Sequence, residues 1–154
     1  MKTNYESNAG LGDAIAIAAT VHRNQNDHGG APYILHPLRI MMKMPTLETQ
    51  IVAVLHDVIE DSSPEDKWTI ERLRGEGFSE EVLAAVDCLS ERDGESYDEL
   101  IARAAANPIA RQVKLGDLED NMDPRRIVDM TKDDHDYIER FHRNWRRLKE
   151  MNQR

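Results

Sequence analysis

Four ionisable side chains lie close together at the end of an apolar run. The run IVAVLHDVIED at 51–61 contains His56, Asp57, Glu60 and Asp61. At about 100° per residue, His56, Asp57 and Glu60 share one face of a helix, and the branched aliphatic residues occupy the other. Burying carboxylates costs several kcal/mol unless charge or hydrogen bonds compensate. The run therefore predicts a buried helix whose polar face binds a partner, and a metal cation is the natural one.

Two further segments supply candidate ligands. His36 precedes Pro37, and Asp117 shares a helix face with Lys114 and Asn121. With the His-Asp pair, these residues make a mixed nitrogen and oxygen set that suits manganese, zinc or iron and leaves positions open for water. An adjacent His-Asp pair is by itself more often structural than functional, so the predicted metal site depends on the additional ligands.

Composition limits the possible classes of protein. We expect one domain, 1–154, because 154 residues with 40% hydrophobic content suit a single core. A net charge of −9 argues against general nucleic-acid binding or a membrane surface. The single cysteine, Cys88, leaves no partner for an intramolecular disulfide and indicates a small buried hydrophobe in a reducing compartment. Without an apolar signal or membrane-length segment, the expected location is cytoplasmic.

Helical spacing recurs along the chain and strand signals are nearly absent, which predicts an all-α fold. Pro37 suits a first helical position, and Thr46 can cap the helix that carries the His-Asp pair. The charged connection SERDGES at 90–96 has no apolar anchor, so it is either a mobile loop or a solvated face. The predicted helices span about 11–25, 33–44, 51–61, 69–74, 79–89, 97–106, 109–122 and 132–152.

Four motifs in order resemble those of a known family. They are HRNQ at 22–25, GAPYILHPL at 30–38, HDVIED at 56–61 and KLGDLEDNM at 114–122. The pattern is similar to that of the HD-domain hydrolases of the RelA/SpoT-homologue group, and in particular to the small alarmone hydrolases, which remove the 3′-pyrophosphate from (p)ppGpp. The resemblance implies a compact multi-helix HD-domain bundle with a central metal site.

The resemblance also implies roles for individual residues. The family's metal, manganese, would be held by His36, His56, Asp57 and Asp117, and water would attack the phosphoryl group. Glu60 and Asp61 match the pair that orients or deprotonates this water. Substrate contacts are expected from five residues: Arg23, Tyr33, Lys114, Asn121 and Arg140. For Tyr33 a packing role beside the site is an equal alternative, and Lys114 could support the site electrostatically.

The chain departs from the family pattern in two places. Residues 26–28 read Asn-Asp-His where the family has a basic pair near the nucleotide. In the last motif, Gly116 replaces alanine, and residues 118–120 read Leu-Glu-Asp where the family prefers a basic residue, leucine and histidine. The basic last helix could supply phosphate contacts from another direction, or its arginines could pair with acidic neighbours: Arg140, Arg143, Arg146 and Arg147.

The leading prediction is a manganese-dependent hydrolase of (p)ppGpp with a small-molecule nucleotide substrate and no nucleic-acid or membrane partner. The altered loop at 26–28 motivates an alternative substrate, the 2′-phosphate of NADPH or a deoxynucleotide. A third possibility from another class is a non-catalytic nucleotide-binding HD module. It is disfavoured because the full set of ligands and water-handling carboxylates is present.

Overall fold

The structure, a computed structural model, describes residues 8–151, which form nine α-helices. Their bounds are α1 Leu11–Val21, α2 Leu35–Met42, α3 Leu47–Leu55, α4 Val58–Asp61, α5 Ile70–Glu76, α6 Glu80–Leu89, α7 Tyr97–Ala106, α8 Pro108–Asn121 and α9 Lys132–Met151. Two short 3₁₀ turns lie at Pro64–Asp66 and Pro124–Arg126. Within residues 8–151 the only β pairing is an isolated bridge between Asn26 and Pro32. The predicted all-α fold is confirmed.

Local sequence signals mark the positions at which most of the helices begin. The Thr46 hydroxyl accepts a hydrogen bond from the Thr49 amide and caps α3, as predicted. Side chains of the same kind cap α5, α6, α7 and α8: Thr69, Ser79, Ser96 and Asn107. These caps satisfy backbone amides that have no partner within a helix, so the helix starts are encoded locally.

The prediction of one continuous helix at 51–61 is wrong, because the helix is interrupted at His56 and Asp57. Helix α3 ends at Leu55 and α4 begins at Val58. The His56 ring donates from Nδ1 to the Ala53 carbonyl at 2.7 Å, which uses an acceptor of the last turn of α3. Asp57 has φ −104° and ψ −2°, outside ideal helical values. The two chemically important residues therefore lie in the junction between helices.

Two smaller predictions, both on helix boundaries, also differ from the structure, and polar contacts hold the charged connection at 90–96. Helix α1 ends at Val21, because His22 and Gln25 turn inward and hydrogen-bond to each other, Nδ1 to Oε1, at 2.7 Å. Helix α2 begins at Leu35, so Pro37 is its third residue and not its first. The connection at 90–96 has a polar anchor, since Arg103 donates to the carbonyls of Asp87 and Ser90 and pairs with Glu95.

Helix α3 lies at the centre of the core. Six of its residues, Thr49 and 51–55, are buried, and it packs against α1, α2, α6 and α8. Gly116 allows α8 to approach α2 closely, because a Cβ there would lie 2.9 Å from Cε of Met44 and 3.1 Å from Cγ2 of Ile40. Cys88 is half-buried and packs against this core, where burial raises the pKa of its thiol.

A second, smaller apolar cluster attaches α9 to α7 and α8. It consists of Ile101, Ala105, Leu118 and Leu148. This packing places α9 against α8, the helix that carries the last of the four motifs. None of the helices within residues 8–151 is long and apolar enough to cross a membrane.

Candidate active site

Three of the predicted ligands converge from separate parts of the chain. His36 lies on α2, His56 at the junction of α3 and α4, and Asp117 on α8, and their candidate ligand atoms lie within 4.8 Å of one another. The Oδ1 atom of Asp117 is 3.2 Å from Nε2 of His36 and 3.7 Å from Nε2 of His56. All three side chains are buried.

Asp57 completes the predicted set of four. Its Oδ2 atom lies 3.0 Å from Nε2 of His56 and 3.8 Å from Nε2 of His36. The Tyr33 hydroxyl donates to the same oxygen at 2.5 Å. Burial and the Asp57 charge raise the pKa of Tyr33, so the phenol remains a proton donor. Tyr33 therefore orients Asp57 in this structure, and its predicted contact with substrate stays a prediction.

Both histidine rings point their Nε2 atoms toward the same place. Nδ1 of His56 donates to the Ala53 carbonyl, so its buried Nε2 is the ring atom that faces the carboxylates of Asp57 and Asp117. Nδ1 of His36 lies 2.6 Å from Oδ2 of Asp120, so its Nε2 is the ring atom that faces Asp117. Two imidazole nitrogens and two carboxylates thus face one another, an arrangement that fits a divalent cation.

The electrostatics of the cluster favour added positive charge. Burial favours the neutral imidazole, yet the charges of Asp57 and Asp117 outweigh it and raise the pKa of His56 well above its usual value. Burial also opposes ionisation of the two aspartates, but His56 lowers the pKa of Asp57, and Lys114 lowers that of Asp117. Both carboxylates are therefore ionised near neutral pH and available to a cation.

Two side chains on α8 hold Asp117 in place. Lys114 donates from Nζ to Oδ2 at 2.7 Å, and Asn121 donates from Nδ2 to Oδ1 at 2.8 Å. The predicted common face of these three residues is confirmed by these contacts. Lys114 also lies 5.5 Å from the centre of the Tyr97 ring, so its charge remains within the site.

Glu60 and Asp61 lie beside the cluster, on α4. The Glu91 amide donates to Oε1 of Glu60 at 2.5 Å, which ties this carboxylate to the connection at 90–96. Burial, together with the nearby charge of Asp57, raises the pKa of Glu60 to about 7. The pKa of Asp61 is also raised, by burial and by Asp57, and its Oδ2 lies 3.7 Å from Nδ1 of His22. Glu60 can therefore exchange protons near neutral pH.

A cleft of about 370 Å³ opens beside the cluster. Its walls include Tyr33, Glu60, Lys114, Asn121 and Arg140. A second cavity of about 270 Å³ adjoins it and shares Asn121 and Phe141 with it. The cleft therefore brings Lys114, Asn121 and Arg140 together with His56, Asp57 and Asp117 around one open space.

The arginines of α9 divide into two kinds. Arg146 and Arg147 lie 3.4 Å from Glu150 and 3.5 Å from Asp98, as expected for an exposed helix that pairs with acidic neighbours. Arg140 has no carboxylate within 4 Å among residues 8–151, and its guanidinium lies 5.3 Å from the centre of the Tyr97 ring. Arg23 is exposed after α1 and outside the cleft walls, so its predicted contact stays a prediction.

The sequence prediction missed Asp120, Arg39 and Arg126. Asp120 was noted only as a departure from the family pattern, yet it contacts His36 and both arginines. The available signal was its position three residues after Asp117, which places both aspartates on neighbouring parts of one helix face.

Comparison with curated proteins finds relatives that are named for the hydrolysis of (p)ppGpp, for its synthesis or for the pyrophosphorylation of GTP. The chain is 33% identical over 121 residues to guanosine-3′,5′-bis(diphosphate) 3′-pyrophosphohydrolase of Aquifex aeolicus, covering 71% of this chain and 17% of the relative. It is 31% identical over 123 residues to the bifunctional (p)ppGpp synthase/hydrolase SpoT of Escherichia coli, covering 73% and 17%. A probable GTP pyrophosphokinase of Mycobacterium leprae is 30% identical over 128 residues, covering 75% and 16%. The match therefore spans a small part of each relative.

A solved structure shares the fold. It is that of a metazoan ortholog of SpoT, described as hydrolysing ppGpp, with a TM-score of 0.71 and 19% sequence identity over 96% of this chain and 87% of that chain. No protein-family model matches the chain. Taken with the four ordered motifs, the relatives and the shared fold show that the chain belongs to the HD-domain family of the RelA/SpoT-homologue group.

Proposed function

We propose that the chain is a manganese-dependent hydrolase that removes the 3′-pyrophosphate from (p)ppGpp, releasing GDP or GTP and pyrophosphate. The observation that carries this proposal is the convergence of His36, His56 and Asp117 on one point beside Glu60, whose pKa is raised to about 7. The names of the relatives include both synthesis and hydrolysis. A buried cation site next to a proton-accepting carboxylate favours hydrolysis.

His36, His56, Asp57 and Asp117 would hold the cation. When bound, a divalent cation lowers the pKa of water to about 7 and neutralises charge on phosphoryl oxygens. The mixed nitrogen and oxygen donors suit manganese, which is also the metal of the family that the motifs resemble. Lys114 and Tyr33 keep the two aspartates oriented through hydrogen bonds of 2.7 Å and 2.5 Å.

Glu60 would act as the general base. Its Oε1 accepts from the Glu91 amide, which leaves Oε2 to accept a proton from the attacking water. A carboxyl group with a pKa near the working pH can accept this proton and then give it to the departing ribose 3′-oxygen. The bond from phosphorus to the 3′-oxygen breaks as the bond from phosphorus to the water oxygen forms. Asp61, less buried and next to His22, would orient the water.

Arg140 and Asn121 would contact the nucleotide in the cleft. Arg140 lies on α9 among aromatic rings, with the Tyr137 ring centre 5.0 Å from its guanidinium, and no carboxylate within residues 8–151 pairs with its charge. The acidic residue in the loop at 26–28 does not oppose phosphate binding, because Asp27 lies 3.2 Å from Nη2 of Arg126 and is neutralised. We further propose that the chain is a single HD-type domain that acts on nucleotides in the cytoplasm.

The test is hydrolysis of ppGpp, NADPH and deoxynucleotides by the manganese-loaded chain. Release of pyrophosphate and GDP from ppGpp is expected, with loss of turnover but not of manganese in Glu60→Gln. Phosphate release from NADPH or a deoxynucleotide, with ppGpp intact, would refute the substrate. A chain that binds manganese and nucleotide without turning over any of the three would instead be a binding module.

A further inference from the structure

Asp120 is one of the most buried carboxylates in the described chain, and the proposed reaction does not use it directly. Its exposed fraction is 2%, and its Oδ2 atom lies 2.6 Å from Nδ1 of His36. It follows Asp117 by three residues on α8, so one helix contacts the His36 ring on two sides. Nε2 of the ring faces Asp117 at 3.2 Å, and Nδ1 faces Asp120.

Two arginines fix the orientation of this carboxylate. Arg39 donates from Nε to Oδ1 at 2.8 Å and from Nη2 to Oδ2 at 3.0 Å. Arg126 donates from Nη1 to Oδ2 at 2.8 Å. Burial opposes ionisation, yet hydrogen bonds from His36 and Arg39 and the charge of Arg126 hold the pKa of Asp120 well below its usual value. Both oxygens are therefore engaged, and the carboxylate cannot rotate without losing a charged partner.

Arg126 is in turn held by the loop that follows α1. Its Nη2 lies 3.2 Å from Oδ2 of Asp27, and Asp27 also accepts from the Ala31 amide. The two backbones are in direct contact, because a Cβ on Gly29 would lie 2.1 Å from the carbonyl oxygen of Arg126. The two places where the sequence leaves the family pattern, at 26–28 and 118–120, are thus joined through one arginine.

We infer that Asp120 is a positioning residue for the metal site: clamped by Arg39 and Arg126, it holds the His36 ring so that Nε2 faces the cation. This inference rests on the proposed metal site. A carboxylate that accepts a hydrogen bond from one ring nitrogen fixes the tautomer and orientation of the ring. It also makes the other nitrogen a better electron-pair donor to a metal cation. The family pattern has histidine at this position, so the device is built from this chain's own residues.

Asp120→Asn is the direct test. It keeps the size of the side chain but removes the charge, and it should weaken manganese affinity about 10- to 100-fold, as measured by calorimetry. Nitrogen chemical shifts of His36 should also change from a single Nδ1-protonated tautomer to a mixture. Asp123→Asn is the matched control, since Asp123 pairs with Arg125 and not with a histidine, and it should leave both measurements unchanged.

Arg39→Gln provides a second variant if Asp120→Asn does not fold. Arg39 is about one-third exposed, so its replacement removes one clamp with little change to the core. Several-fold weaker manganese binding is expected. Affinity within twofold of the unaltered chain, with an unchanged His36 tautomer, in whichever of the two variants folds would overturn the inference. Failure of the unaltered chain to bind manganese would refute the proposed metal site itself, whereas loss confined to the variants concerns Asp120.

Discussion

Two groups of carboxylates lie side by side in this protein, and their surroundings change their acidity in opposite directions. Asp57, Asp117 and Asp120 have lowered pKa values, whereas Glu60 and Asp61 have raised ones. Burial raises the pKa in both groups, so burial alone does not explain the difference. The difference lies in the charged partners that each group meets.

The first group faces cationic or hydrogen-bonding side chains. Asp117 has Lys114 and Asn121, and Asp120 has Arg39 and Arg126. The second group has weaker partners among the described residues. Glu60 accepts from the Glu91 backbone amide, and Asp61 lies 3.7 Å from the His22 ring, while the negative charge of Asp57 raises the pKa of both. Environments that separate the pKa values of neighbouring carboxylates separate their roles. The first group is suited to hold charge and the second to accept a proton.

The largest loss of activity should follow from a substitution among the carboxylates with lowered pKa values. Asp117→Asn removes a proposed ligand charge and leaves Lys114 without its partner. Turnover should fall on the order of a thousandfold or more. The rise in melting temperature that manganese gives to the unaltered chain should disappear. A variant that kept this rise would contradict the assignment of Asp117 as a ligand.

A substitution among the carboxylates with raised pKa values should lower turnover and leave metal binding unchanged. Glu60→Gln should lower kcat by about 10²- to 10⁴-fold, because the amide cannot accept a proton from water. Manganese affinity, measured by calorimetry, should match that of the unaltered chain. Glu65→Gln, an exposed change of the same kind in the next turn, serves as the control and should change neither quantity. Full hydrolysis by Glu60→Gln would show that another group is the base.

The pH profile should sharpen the comparison. Glu60 works as a base only when it is ionised, so kcat should rise with pH and level off. The inflection should lie no higher than about 7, the pKa of Glu60 without a cation, because a bound cation would lower it. The same inflection should be absent from the residual rate of Glu60→Gln. A rate that falls between pH 5 and 7 in the unaltered chain would contradict this assignment.

The smallest expected effect concerns stability. A carboxyl group whose pKa rises from 4.5 to about 7 on folding binds more protons in the folded state, so its contribution to stability is lost as pH increases through this interval. Above pH 7, metal-free Glu60→Gln should therefore be more stable than the unaltered chain, by roughly 1 kcal/mol after allowance for solvent screening. Denaturant unfolding at pH 5 and pH 8 measures this, and the difference should be small at pH 5.

Several structural features were predictable because their causes are local. Thr46 caps α3 through the Thr49 amide three residues away, and α7 has the predicted bounds Tyr97–Ala106. Lys114, Asp117 and Asn121 share a face because helix geometry alone places them there. The break at His56 and Asp57 was not predictable from apolar periodicity, since it depends on a ring that bonds to a backbone carbonyl.

The sequence by itself determined the all-α fold, the capped helix starts and the residue types that can bind a cation, because periodicity and capping act over a few residues. Only the tertiary structure decided how those residues are paired. His36 and Asp120 are 84 residues apart, and Asp27 and Arg126 are 99 apart. Contacts of this range depend on how α2 packs against α8, which no local pattern records. The raised pKa of Glu60 was likewise decided by tertiary burial, which outweighs the opposing hydrogen bond from the Glu91 amide.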